Sequence, residues 1–139
     1  MRSLLSLLTC ALVGAAGAAP LPAASRAEVD ALLMRLQFSG CDFNRNGSWY
    51  TGAEAKGHLL KKLDYLEGKD LVHTTEQFIS LGASTSSMSG KPYLARCPGK
   101  PTVPLGAWLN TELQALRPAR AASAPNPAAA RSGAASAAP

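Results

Sequence analysis

The sequence predicts a small, mainly helical α+β domain of about four short helices and one or two β-hairpins, stapled by a disulfide between Cys41 and Cys97. Three observations predict it. Capping signals precede apolar residues at helical spacing; an Asn46-Gly47 pair sits between aromatic residues; and two cysteines remain once an N-terminal export signal is removed.

The helices follow in chain order. Ser25-Arg26-Ala27-Glu28 reads as a capping box, the serine accepting from first-turn amides while the glutamate reaches back, and Val29, Leu32, Leu33 and Leu36 recur at helical spacing up to a stop at Gly40. A second box, Thr51-Gly52-Ala53-Glu54, opens a run whose Ala55, Leu59, Leu63 and Leu66 form one stripe ending at Gly68. Thr74-Thr75-Glu76-Gln77 opens a shorter third helix carrying Phe78 and Ile79, with Leu81 as a further inward candidate. Pro104 begins the fourth, with Leu105, Trp108, Leu109, Leu113 and Leu116 inward and Pro118 just past its end.

The pattern between helices is different. Asn46-Gly47, between Phe43 and Trp49-Tyr50, is a strong two-residue hairpin signal, because both central residues of a type I′ turn need positive φ. Tyr93 to Cys97, then Pro98-Gly99, then a short stretch to Val103 predicts a second hairpin. A Cys41–Cys97 disulfide would bring the two β pieces together; the alternative is two free or metal-bound thiols.

The ends of the chain say where the domain works. Arg2 and the apolar residues from Leu4 to Val13, followed by Gly14-Ala15-Ala16-Gly17-Ala18-Ala19, read as a secretory signal over residues 1–19, cleaved near Ala18 or Ala19. Its apolar part is shorter than the ~20 residues of a spanning helix, so no membrane span is expected after cleavage. Residues 20–25 read as a linker, 26–117 as one globular domain, and 118–139, with eleven Ala, four Pro and no aromatic or acidic side chain, as a disordered tail. The expected location is periplasmic or secreted, where cysteines pair. All eight aromatics lie between Phe38 and Trp108, and a core that small benefits from a covalent staple.

Charge excludes one class of partner. The chain is +5 overall, but residues 26–116 hold ten Lys and Arg against nine Asp and Glu, so the basic excess lies at the ends. A nucleic-acid surface needs a basic patch on the domain itself, and none is predicted.

Three stretches carry candidate chemistry. Asp42-Phe43-Asn44-Arg45-Asn46-Gly47 matches the first half of a calcium loop, but Ala53 stands where the bidentate glutamate belongs, and a hairpin turn is the better account. The donor-rich segment 82–93 holds Ser84, Ser86, Ser87 and Ser89 before Gly90-Lys91-Pro92-Tyr93. It is not a phosphate-binding loop, since Thr85 and Pro92 break that pattern, and Met88 rather than serine precedes Lys91 by three. Its hydroxyls either cap turns or form a binding loop. His58 and His73 are the only imidazoles; neither sits in a metal or nucleophile motif, and His58 reads as a flank of the second helix's apolar stripe. No cofactor, metal or catalytic residue is predicted.

With these residues in view, the chain resembles a bacterial family of exported proteins whose domain has no known function. The resemblance rests on Phe43 to Tyr50 with Arg45-Asn46-Gly47, on Ala55-x-x-His58-Leu59-x-x-Lys62-Leu63, on Phe78-Ile79, on Ala83-Ser84-x-Ser86-Ser87-x-Ser89-Gly90-Lys91-Pro92-Tyr93, and on Val103-Pro104 with Trp108-Leu109. It implies no activity, but places weight on the Arg-Asn-Gly and Ser-Gly-Lys-Pro-Tyr segments. The expected function is a non-enzymatic binding module, its surface formed by Ser86, Ser87, Ser89, Gly90, Lys91 and Tyr93 with Arg45 and Asn46, recognising an envelope protein or glycan. The rival expectation is a small hydrolase with His58 as base and a loop serine as nucleophile.

Overall fold

The computed structural model describes residues 17–123. Most of the expected export signal and residues 124–139 of the expected tail lie outside the described residues.

Helix α1 spans Ala23–Phe38 and buries Val29, Leu32, Leu33 and Leu36 as their spacing requires. It starts earlier than the Ser25 box. Pro22 is the N-cap, its carbonyl accepting from the Arg26 amide at 2.8 Å, so Ser25 lies inside the first turn. Just before it, Leu21 is buried and its amide donates to Glu67 Oε1 at 2.9 Å. The stretch read as a linker is thus docked, by one buried leucine and by one amide bonded to Glu67. Glu28 does not cap: it accepts from the buried Thr75 hydroxyl at 2.7 Å and from Arg117 at 2.9 Å. A charge-assisted pair outcompetes a backbone amide at an already helical end.

Strands β1 (Asp42–Arg45) and β2 (Ser48–Tyr50) form the first hairpin, in register Phe43↔Tyr50 and Arg45↔Ser48. Asn46 and Gly47 turn it with φ of 52° and 86°, the left-handed pair the dipeptide predicts. Helix α2 (Gly52–Gly68) opens on the expected capping box, Thr51 accepting from the Glu54 amide while Glu54 accepts from the Thr51 amide at 2.9 Å. The Thr51 amide first, and second the Thr51 hydroxyl, which donates to the same carboxylate oxygen at 3.0 Å, hold the Glu54 carboxyl below its ordinary pKa. Ala55, Leu59, Leu63 and Leu66 are its buried stripe.

Helix α3 (Thr75–Gly82) is capped by Thr74, whose hydroxyl accepts from the Gln77 amide at 3.1 Å. Its inward face is Thr75, Phe78, Ile79 and Gly82, so Leu81 is turned to solvent, contrary to expectation. Strands β3 (Leu94–Arg96) and β4 (Val103–Pro104) make the second hairpin, and helix α4 (Leu105–Ser123) follows directly. Leu105, Leu109, Leu113 and Leu116 are buried, while Trp108 is half-buried with its ring edge-on to Phe43 at 5.8 Å. The helix does not stop before Pro118 but runs through it. A proline removes one intrahelical bond, and the alanines that follow are the best helix formers.

The two hairpins join into one antiparallel sheet of order β2-β1-β3-β4, with Asp42↔Arg96 and Asn44↔Leu94 opposite each other. One step beyond Asp42↔Arg96, Cys41 and Cys97 are joined by a disulfide, their Cα atoms 4.2 Å apart, which closes the alternative of free or metal-bound thiols. Helix α1 packs against the other three helices, and α2 and α4 also pack against the sheet. Among the described residues no helix is long and apolar enough to cross a membrane.

Candidate functional site

The serine-rich segment is a small hairpin rather than an open loop. Tyr93 N donates to Ser84 O at 2.9 Å, Ser86 N to Lys91 O at 2.9 Å, and Gly90 N to Ser86 O at 2.8 Å, with Gly90 at φ +67° closing the tip. Ser86 is 3 % exposed, and its hydroxyl accepts from the amides of Met88 and Ser89 and thereby organises the tip from within. This is the turn-capping work expected of such serines.

The hairpin is tied to its neighbours at two points. Ser89 Oγ donates to Asn46 Oδ1 at 2.6 Å, joining the serine-rich tip to the first hairpin turn. Lys62 on α2 donates to Thr85 O at 2.9 Å and to the Tyr93 hydroxyl at 3.4 Å. The Arg-Asn-Gly and Ser-Gly-Lys-Pro-Tyr segments do come together, through the β1–β3 pairing and the Ser89–Asn46 bond; the disulfide stands at the far end of β1.

Between α2, the first hairpin and the serine-rich hairpin lies a cleft of about 350 Å³. Its floor includes the buried side chains of Phe43, Leu59, Tyr93 and Leu105, and Tyr50, Tyr65 and Met88 stand along its walls. The polar groups lining it include Arg45, His58, Lys61, Lys62, Ser86 and Ser87. Of the residues expected to bind, Arg45, Ser86, Ser87 and Tyr93 line the cleft. Asn46 and Ser89 bond to each other beside it, and Gly90 and Lys91 are exposed outside the lining.

The α2 wall was not anticipated as a site. His58, Lys61, Lys62 and Tyr65 stand at i, i+3, i+4 and i+7, one face of a helix next to the apolar stripe. That spacing is readable in the sequence, but a polar helical face ordinarily meets water, and only the two hairpins packed opposite make it a wall.

His58 meets Arg45 and Tyr50, its Nδ1 accepting from Arg45 Nη1 at 3.3 Å and its ring edge-on to Tyr50 at 5.0 Å. Arginine has only donors, so in the neutral imidazole the proton sits on Nε2. Among the described residues no hydrogen bond joins His58 to a serine; the hydroxyls of Ser84 and Ser89 donate to the Ile79 carbonyl and to Asn46. Asp42 is ion-paired with Arg96 at 3.1 Å, and Asn44 Oδ1 accepts from the Gly47 amide at 3.2 Å, which is the chemistry of a hairpin turn. His73 lies apart, 3.9 Å from Asp70.

The fold and site define a small disulfide-linked α+β domain with one aromatic-floored, cation-edged cleft. Residues 23–117 match the family of unknown function DUF5329, and the chain belongs to that family. Over 68 residues it is 41 % identical to the uncharacterized protein YfeK of Salmonella typhimurium, a match covering 48 % of this chain and 55 % of that protein. The chain therefore spans about half the length of that curated relative. No solved structure matches it.

Proposed function

We propose that the chain is a non-enzymatic binding module of the periplasm or the extracellular space, and that its site is the cleft walled by the serine-rich hairpin. The cleft itself carries this reading. Its size lies within the ~300–1,000 Å³ range of small-ligand sites, and its exposed surface is mostly apolar with polar side chains around it. Its walls come from three separate elements held in place by Ser89–Asn46 and by Lys62. The joined cysteines support an oxidising compartment, and the sequence of residues 1–19 supports export. The partner is a component of the cell envelope, such as a protein or glycan, that meets Ser87, Ser89, Asn46 and Lys91 around the cleft mouth.

Affinity capture from periplasmic extract tests the proposal. Ser89→Ala, which removes the link to Asn46, and Lys91→Ala, which removes an exposed cation, are each expected to lose the captured partner while the protein stays folded. If both variants capture the same partners as the parent chain, the binding-module reading is wrong.

A further inference from the structure

The interior of the cleft differs in chemistry from its serine-rich rim. Residues 26–116 are almost neutral, yet Arg45, Lys61 and Lys62 all line this one cleft and no carboxylate does. Among the arginines of residues 26–117 Arg45 alone is without a carboxylate: Arg26 meets Glu67 at 3.3 Å, Arg35 meets Glu112 at 2.8 Å, Arg96 meets Asp42 at 3.1 Å and Arg117 meets Glu28 at 2.9 Å. Among the described residues, Arg45, Lys61 and Lys62 have no carboxylate within ion-pairing distance. Glu54, one turn before His58 on α2, is held by Thr51 instead. Lys62 uses two of its three donors on Thr85 O and Tyr93 Oη, which leaves one donor and its whole charge.

Beneath these cations the surface is apolar. Phe43, Leu59 and Leu105 form the floor, and at the mouth Tyr65 is 62 % and Met88 86 % exposed. A methionine so exposed at a cleft mouth is a flexible apolar flap that gains by covering something apolar. Unpaired cations over an apolar floor fit a ligand with an anionic head and a short hydrocarbon or aromatic body.

Resting on the reading of this cleft as a binding site, we infer that its occupant is a small amphipathic carboxylate: one acyl chain or ring, its carboxylate at Arg45, Lys61 and Lys62 and its body against Phe43, Leu59 and Leu105. The volume of about 350 Å³ lies at the small end of ligand sites and selects one small molecule. An acidic loop of a partner protein is the competing occupant, and the test separates the two.

The oxidised chain is titrated, below micelle-forming concentrations, with decanoate, with decyltrimethylammonium and with acetate, and followed by backbone amide chemical shifts. Decanoate is expected to saturate, with the largest shifts at His58, Tyr65, Ser86 and Ser87. Acetate lacks the body and decyltrimethylammonium has the wrong charge, so neither saturates. Arg45→Gln is expected to weaken decanoate about tenfold, as is Lys61→Glu, an exposed α2 position whose replacement leaves the fold intact. Saturation by decyltrimethylammonium at the same residues, unchanged decanoate affinity in both variants, or no saturation by decanoate overturns the inference. If decanoate fails while capture still depends on Ser89 and Lys91, only the amphiphile is lost, and a protein occupant takes its place. If capture fails as well, the binding-module reading goes with it.

Discussion

Two glycines on one helix show how far a residue's role depends on what lies opposite. A Cβ at Gly52 would come within 2.5 Å of Leu36 O and 2.7 Å of Gln37 O, because the start of α2 abuts the end of α1. A Cβ at Gly57 would meet nothing within 4 Å. Gly52→Ala is therefore expected to destabilise by about 1–3 kcal/mol, since rigid backbone must move. Gly57→Ala should instead stabilise by about 0.5–1 kcal/mol, since alanine has the better helix propensity at an exposed site. Urea midpoints of the two variants check both signs, and equal shifts would refute the contact. The paired capping boxes teach the same lesson. Thr51 and Glu54 cap as their spacing predicts, while Ser25 and Glu28, at the same spacing, do not, because Pro22 starts the helix first and Glu28 is taken by Thr75 and Arg117.

At the scale of elements, Arg117 binds three helices together. From α4 it reaches Glu28 on α1 at 2.9 Å and Glu76 on α3 at 2.6 Å. Its bond to Glu28 is the main reason the Glu28 carboxyl lies below its ordinary pKa, against the opposing cost of burial, with Thr75 adding to the effect. Glu76 is lowered as well, first by its own backbone amide and then by Arg117. The guanidinium is in turn held more firmly protonated by the two carboxylates. A carboxyl whose folded pKa is depressed adds stability that is complete above the ordinary carboxylate range and is lost as pH falls through the folded value. Stability is therefore expected to fall on acidification, and Arg117→Met should shrink the part of that fall lying below the ordinary carboxylate range. Urea midpoints of both proteins at neutral and acid pH measure it. An unchanged acid dependence in the variant would show that the cluster contributes nothing. Solvent reaches Arg117, so the loss at neutral pH should be only about 1 kcal/mol or less and should shrink with salt.

At the scale of the whole molecule, the disulfide closes a loop with a sequence separation of 56, which contains α2, α3 and most of the cleft wall. Chain-entropy arithmetic for such a loop gives about 4 kcal/mol, a large share of what a domain this small can hold in reserve. Cys41→Ser combined with Cys97→Ser is expected to lower stability by about that amount, seen as a matching drop between oxidised and reduced parent protein. A loss below about 1 kcal/mol would mean that the sheet register alone sets the loop ends. Helix order, both hairpins and this disulfide were legible in the sequence because each is written in local chemistry: caps, a turn dipeptide, cysteine count. The cleft was half legible. Arg45, Lys62, Ser86, Ser87 and Tyr93 stood out as motif residues, whereas nothing local marked Lys61 and Tyr65, which become a wall only because the hairpins pack against that face of α2.

By itself, then, the sequence determined the elements and the staple, since capping, periodicity and turn geometry act over a few residues and need no distant partner. It also determined that the folded part is nearly neutral. Only the tertiary structure decided where that balanced charge goes. Packing sends Arg26, Arg35, Arg96 and Arg117 to carboxylates on other segments and leaves Arg45, Lys61 and Lys62 unpaired over an apolar floor. Which charges meet is settled by contacts between residues far apart in the chain, and no local pattern encodes them.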